Sequence, residues 1–141
     1  QGVSRACETV ASHGVRPALE PEPGMVVSTI ADYQRLCAMG DGPRPGLCLD
    51  IGHLYVTGED DPVNAILQQR DNTVQVHLED IRRGVHEHLP PGDGDVDFRA
   101  VLGALASTGY DGAVCFELSR SSHMAPEALA RCRATWDEAL R

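Results

Sequence analysis

Apolar positions along the chain fall into two alternating rhythms: stretches at helical spacing and short unbroken runs. Val3, Cys7, Val10 and Ala11 share a helical face, and His13-Gly14 closes that segment, glycine being a usual residue past a helix end. Val15–Glu20 reads as a short strand, weakened by Pro17 and closed by Pro21 and Pro23. Ser28 or Thr29 caps a second helix running through Met39, with Ile30, Tyr33, Leu36 and Cys37 on one side. A Gly/Pro-rich turn, Gly40 to Gly46, leads into Leu47–Ile51, apolar without alternation, the pattern of a strand buried on both faces. Asp60 or Asp61, followed by Pro62, opens a helix ending near Arg70. Thr73–Leu78 is a third strand, followed by a long polar loop from Glu79 to Asp95. A helix over 97–108 puts Phe98, Val101, Leu102 and Leu105 on one face, and Gly109–Gly112 turns the chain into a fourth strand, Ala113–Leu118. Pro126 opens the last helix, with Ala128, Leu129, Cys132 and Trp136 inward.

A helix followed by strand–helix units predicts an α/β fold with a parallel sheet, because parallel neighbours need a crossover between them. The size, 141 residues, fits one domain, and 42% hydrophobic residues suffice for a core. Acidic residues number 21 against 12 basic ones, all Arg, for a net charge of -9, which argues against nucleic acid as a partner. No apolar run approaches the roughly 20 residues needed to cross a bilayer, so no membrane partner is expected. The five cysteines are odd in number and none are at C-x-x-C spacing, which predicts buried reduced thiols and a cytoplasmic location over a disulfide framework.

Every predicted strand ends in a group able to bind a metal or move a proton. Glu20 ends the first, Asp50 lies at the end of the second with His53 three residues on, His77 ends the third, and Glu117 the fourth. In a parallel α/β sheet the carboxyl ends of all strands lie on one side, so Glu20, Asp50, His77 and Glu117 converge. Three carboxylates in one small volume repel unless a cation neutralises them. The donor set suits Mn²⁺, Mg²⁺, Co²⁺ or Zn²⁺ without selecting one. Glu20 is preferred to Glu22 because it directly ends the apolar run; Gly92 and Gly94 are read as a tight turn in preference to a phosphate cradle, and Met25 and Trp136 as packing.

The segments ALEPEPG (18–24), CLDIGH (48–53), VHLED (76–80), HEHLPPGDGDVDF (86–98) and CFELSR (115–120) resemble the C-terminal half of the xylose isomerase-like barrel superfamily. That group holds sugar and sugar-phosphate isomerases and epimerases, together with endonuclease IV-type enzymes. The resemblance implies a (β/α)8 TIM barrel of which residues 1–141 are the last four β/α units. It also implies a missing N-terminal half-barrel, or a second copy of this chain, as partner to the two open sheet edges. The absent initiator Met accords with that expectation.

By the same resemblance, Glu20, Asp50, His77 and Glu117 hold one divalent metal, and Glu20 and Glu117 serve as the acid–base pair on either side of the sugar carbon. His53 and Arg120 contact a small sugar or sugar phosphate. His86 and His88, two residues apart and on one face if extended, contribute to substrate binding or a second metal. The implied activity is metal-dependent isomerisation or epimerisation, through an enediolate or a hydride shift. The alternative is a zinc phosphoester hydrolase of the endonuclease IV type, and a third reading is a barrel that binds a polyol without turnover. Metal affinity is expected to fall below about pH 6, where an ordinary imidazole protonates.

Overall fold

A computed structural model describes residues 2–39, 41–59 and 61–141. The elements in chain order are α1 (Gly2–Ala11), β1 (Ala18–Leu19), α2 (Ile30–Ala38), β2 (Gly46–Asp50), α3 (Ile51–Thr57), α4 (Pro62–Gln69), β3 (Thr73–Leu78), α5 (Phe98–Ser107), β4 (Ala113–Phe116) and α6 (Ala125–Ala139), with a 3-10 turn at Ser122–Met124. All strands are parallel, in the order β1-β2-β3-β4, so chain order is also spatial order and β1 and β4 are the edges.

β2 is buried at every position, because its two faces meet different layers. Leu47 and Leu49 join Ile66, Val76, Leu78, Val101 and Leu102 in the core beneath the helices. The opposite face carries Cys48 and Asp50, which pair in register with Gln75 and His77 of β3. Thr29 caps α2 through a capping box with Asp32, and Asp61 caps α4, accepting from the N–H groups of Val63 and Asn64. Asp60 lies outside the described residues.

The structure departs from the sequence expectations at several points. The first strand is only two residues long, because Pro17 and Pro21 lack the N–H a ladder needs; Pro17 still accepts from Gly46 N–H at 2.8 Å. Ile51 belongs to a helix, α3, which the sequence reading lacks. Asp50 caps it, its Oδ1 accepting from His53 N–H at 2.8 Å, and Gly58 ends it in the left-handed region at φ 64°. Leu129 points outward, 67% exposed, while Ala128 and Cys132 face the core and Trp136 packs against it. Met25 is likewise exposed and makes no core packing. All five cysteines are free; Cys7, Cys48 and Cys132 are buried, whereas Cys115 is exposed on the edge strand β4.

Candidate functional site

The strand ends do converge. Glu20 follows β1, Asp50 ends β2, His77 is the penultimate residue of β3, and Glu117 follows β4, where its N–H is still held by Leu78 O at 2.8 Å. One potential donor atom from each of Glu20, Asp50, His77 and Glu117 lies within 4.8 Å of the others. His77 Nδ1 sits between two carboxylates, 2.8 Å from Glu20 Oε1 and 3.0 Å from Glu117 Oε2. Asp50 is 3% exposed, and its Oδ2 has no hydrogen-bond partner. A buried carboxylate oxygen without a partner beside two more carboxylates and an imidazole is a donor set that fits a hard or borderline divalent cation.

The electrostatics follow from this crowding. Hydrogen bonds that the ring makes to the Cys48 sulfur and to the Glu20 carboxylate, outweighing burial, push the His77 imidazole up to about 11. Glu20 is held below its ordinary value by its hydrogen bond to His77, with burial opposing. Asp50 is raised, mainly by burial. Without a cation, the imidazolium of His77 is the positive charge that balances this group.

Glu79, which the sequence reading left in the polar loop, belongs here too. It is 0% exposed, neither carboxyl oxygen has a well-directed hydrogen bond, and it lies beside Asp50 and His53. Burial first, and the Asp50 charge second, push it up to about 10. The space it fills exists because residue 52 is glycine: a Cβ at Gly52 would collide with Glu79 Oε1. One signal was available in the sequence. Glu79 stands two residues after His77, on the same side of an extended chain.

A histidine group adjoins the first. His53 Nδ1 lies 2.9 Å from Pro21 O, so that nitrogen donates and Nε2 carries the lone pair in the neutral ring. His53 Nε2, His86 Nε2 and His88 Nδ1 are all buried without partners, and the three residues bring ligand atoms within 4.8 Å of one another. Glu22 stands 3.6 Å from both His53 Nε2 and His86 Nε2, so Glu20 and Glu22 serve different groups. Arg120 is exposed and forms no ion pair among the described residues.

The loop carrying His86 and His88 is held by Asp80. Its carboxylate accepts from the N–H groups of Ile81 at 3.0 Å, Gly92 at 2.7 Å and Val96 at 3.1 Å, while its backbone bridges to Leu89. A Cβ at Gly94 would meet Asp80 and the Ile81 backbone. The glycines therefore serve a tight turn, and the Gly92 N–H is engaged by Asp80. Arg131 of α6 fastens the far side, donating to Pro91 O at 2.9 Å and Asp93 Oδ1 at 2.7 Å.

A parallel half-barrel with ligand-bearing strand ends defines a class, and comparison with known proteins supplies the family. The chain belongs to the xylose isomerase-like TIM barrel family, whose sequence model matches residues 1–137. It is similar to inosose dehydratase of Lacticaseibacillus casei, 29% identical over 82% of this chain and 44% of that protein. It is 33% identical to the rhizopine catabolism protein MocC of Rhizobium meliloti, over 84% of this chain and 41% of that one. Among solved structures, the 3-keto-D-glucoside 4-epimerase YcjR from E. coli superposes with a TM-score of 0.77 at 26% identity, covering 94% of this chain and 50% of that one. The chain thus spans less than half the length of these curated relatives and is a partial barrel. No helix among the described residues is long and apolar enough to cross a membrane.

Proposed function

We propose that these residues form the C-terminal half of a divalent-metal-dependent enzyme that moves a proton on the carbon next to the carbonyl of a small sugar or sugar phosphate, as an isomerase or epimerase. The observation that carries this reading is the convergence of Glu20, Asp50, His77 and Glu117 on one volume with Asp50 Oδ2 left unpartnered. Glu20, Asp50, His77 and Glu117 hold the cation, which when bound supplies Lewis-acid polarisation of the carbonyl. Glu20 and Glu117 stand on the two flanks of His77, so one carboxylate removes the proton from one side of the carbon and the other returns it from the opposite side. His53, with its Nδ1–H donated to Pro21 O, offers Nε2 to a substrate hydroxyl, and Arg120 offers a cation to a hydroxyl or phosphate.

Loss of water next to a carbonyl begins with the same proton removal. The names inosose dehydratase and 3-keto-D-glucoside 4-epimerase, borne by two similar proteins, therefore share one chemical step with the reading above. Five free cysteines accord with a cytoplasmic enzyme. The partner of the open edges β1 and β4 is the other half of the barrel or a second copy of the chain.

The test is carbon-bound proton exchange in D2O by the full-length protein, across ketoses, inososes and their phosphates, with Mn²⁺ and with chelator. Metal-dependent exchange, lost in Glu117→Gln, is the expected result. Exchange that ignores chelator and survives Glu117→Gln would refute the reading. The three unpartnered histidine nitrogens favour one second reading, a phosphoester hydrolase using an additional zinc at His53, His86 and His88. Two or three bound zinc ions with phosphate release, and no proton exchange, would select it; the net charge of -9 weighs against DNA as its substrate.

A further inference from the structure

His77 has two ring nitrogens, and only one faces the acidic group. Nδ1 lies between Glu20 and Glu117, while Nε2 points down the sheet toward Gln75, whose amide nitrogen is 2.7 Å away. Gln75 stands two residues before His77 on β3, on the same face, and pairs in register with Cys48 of β2. A ring that gives its Nδ1 lone pair to a cation must carry its hydrogen on Nε2. An N–H on Nε2 then faces the amide, so the amide must present its oxygen. The two ends of a glutamine amide have the same shape, and the hydrogen-bond network decides between them. That network selects Oε1 toward His77.

We propose that Gln75 is a positioning residue for the metal centre: its Oε1 accepts the Nε2–H of His77, fixing the ring tautomer and aiming Nδ1 at the ligand group. The inference rests on the metal-site reading above. A hydrogen bond to the far nitrogen of a metal-binding imidazole orients the ring and raises its basicity, and its loss typically weakens metal binding about 10–100-fold. Gln75 is suited to this task because it is neutral, adding no fourth carboxylate to a group that already holds three. It is also only partly buried, from the strand below, so its amide has no competing side-chain hydrogen bond among the described residues.

The experiment uses the full-length protein and Mn²⁺ or Co²⁺ binding by titration calorimetry, with Gln75→Met, which keeps the shape without an acceptor, and Gln75→Glu, which keeps the acceptor. Melting of the metal-free proteins monitors folding. Mg²⁺-loaded protein with ¹⁵N-labelled histidine reports which nitrogen of His77 carries hydrogen. We expect Gln75→Met to lose about 10–100-fold in metal affinity, with an unchanged metal-free melt, and Gln75→Glu to restore both affinity and the Nε2–H signal. Wild-type affinity in Gln75→Met, or an Nδ1–H tautomer in the metal-loaded protein, overturns the role of Gln75 while leaving the metal centre standing. A wild-type protein that takes up none of these ions, with His77→Ala unchanged from it, overturns the centre and this role together.

Discussion

Metal binding at this centre should be an exchange of a cation for a proton, and the pH range of that exchange separates a structured site from an ordinary histidine. In the cation-free state His77 is pushed up to about 11 by the Cys48 thiol and the Glu20 carboxylate, so its ring is protonated throughout the neutral range. A cation needs the Nδ1 lone pair and must displace that proton. Well below the shifted value, apparent affinity rises about tenfold per pH unit, so from pH 6 to pH 8 it should rise about 100-fold. An imidazole at its ordinary value of about 6.5 would give a gain of only about fourfold over the same interval, most of it below pH 7. The raised Asp50 can only steepen the dependence, since it too holds a proton more readily than usual. The expectation from residue type alone, a loss of affinity below about pH 6, therefore moves upward by several units. The assay is calorimetric titration of the full-length protein with Mn²⁺ at pH 6, 7 and 8 in buffers of different ionisation heat, which counts protons released. About one proton or more per metal at pH 7 is expected, falling toward none in His77→Gln. A fourfold gain or less between pH 6 and pH 8, with no proton released at pH 8, would show that Cys48 and Glu20 do not hold the ring charged.

Glu79 gives a stability signature of the opposite sign to an ordinary ion-paired acid. Its folded value lies above its unfolded one, so the native chain keeps a proton that the unfolded chain releases, and stability falls as pH rises past about 4.5 at about 1.4 kcal/mol per unit. Between pH 5 and pH 7 the metal-free protein should thus lose up to about 3 kcal/mol that Glu79→Gln retains, measured as the difference between their denaturant midpoints; parallel pH profiles would remove Glu79 from the buried acid group. Gly52→Ala should cost about 1–3 kcal/mol by overpacking against Glu79, and Glu79→Ala should relieve much of that cost in the double variant; additive losses would deny the contact. The 141-residue chain by itself leaves β1 and β4 unpaired, so light scattering should find it associated, and a well-folded monomer in solution would contradict the half-barrel reading of its edges.

The legible parts of this fold are those where one physical pressure acts alone. β3 occupies Thr73–Leu78, as its composition predicts, and β2 is recognisable because burial on both faces permits no polar position before Asp50. The helix α3 was hidden because Ile51–Thr57 mixes a glycine with β-branched residues and continues an apolar strand without a break. What starts it is the Asp50 side chain, so one residue both caps a helix and enters the cluster of potential metal ligands. Leu129 misled because helical spacing fixes a face but not which neighbours cover it. In the site, Glu20, Asp50, His77 and Glu117 were readable because topology alone brings strand ends together. Glu79 offered only its spacing from His77, because the room it occupies depends on a missing side chain at Gly52, far from it in sequence.

The distribution of residue types across the strands has its own logic. Neighbouring strands are about 4.8 Å apart, so the outer pair of four adjacent strands is separated by about 14 Å of sheet. Donor atoms from all four nonetheless lie within 4.8 Å of one another. The residues of the two outer strands are both Glu, whose extra methylene reaches inward, and the inner strands supply the shorter Asp50 and the rigid ring of His77. Side-chain length thus compensates for strand position, and the two residues with the longest reach are also the two that approach His77 from opposite flanks. The same flanking carboxylates are the ones placed to face a bound carbon from two sides. All four donors come from these 141 residues, whereas the loops that would enclose a substrate follow every strand of a complete barrel. The proton transfer proposed above therefore draws on residues of this half alone, and the loops of the remaining strands are where the proposed reading puts discrimination among substrates.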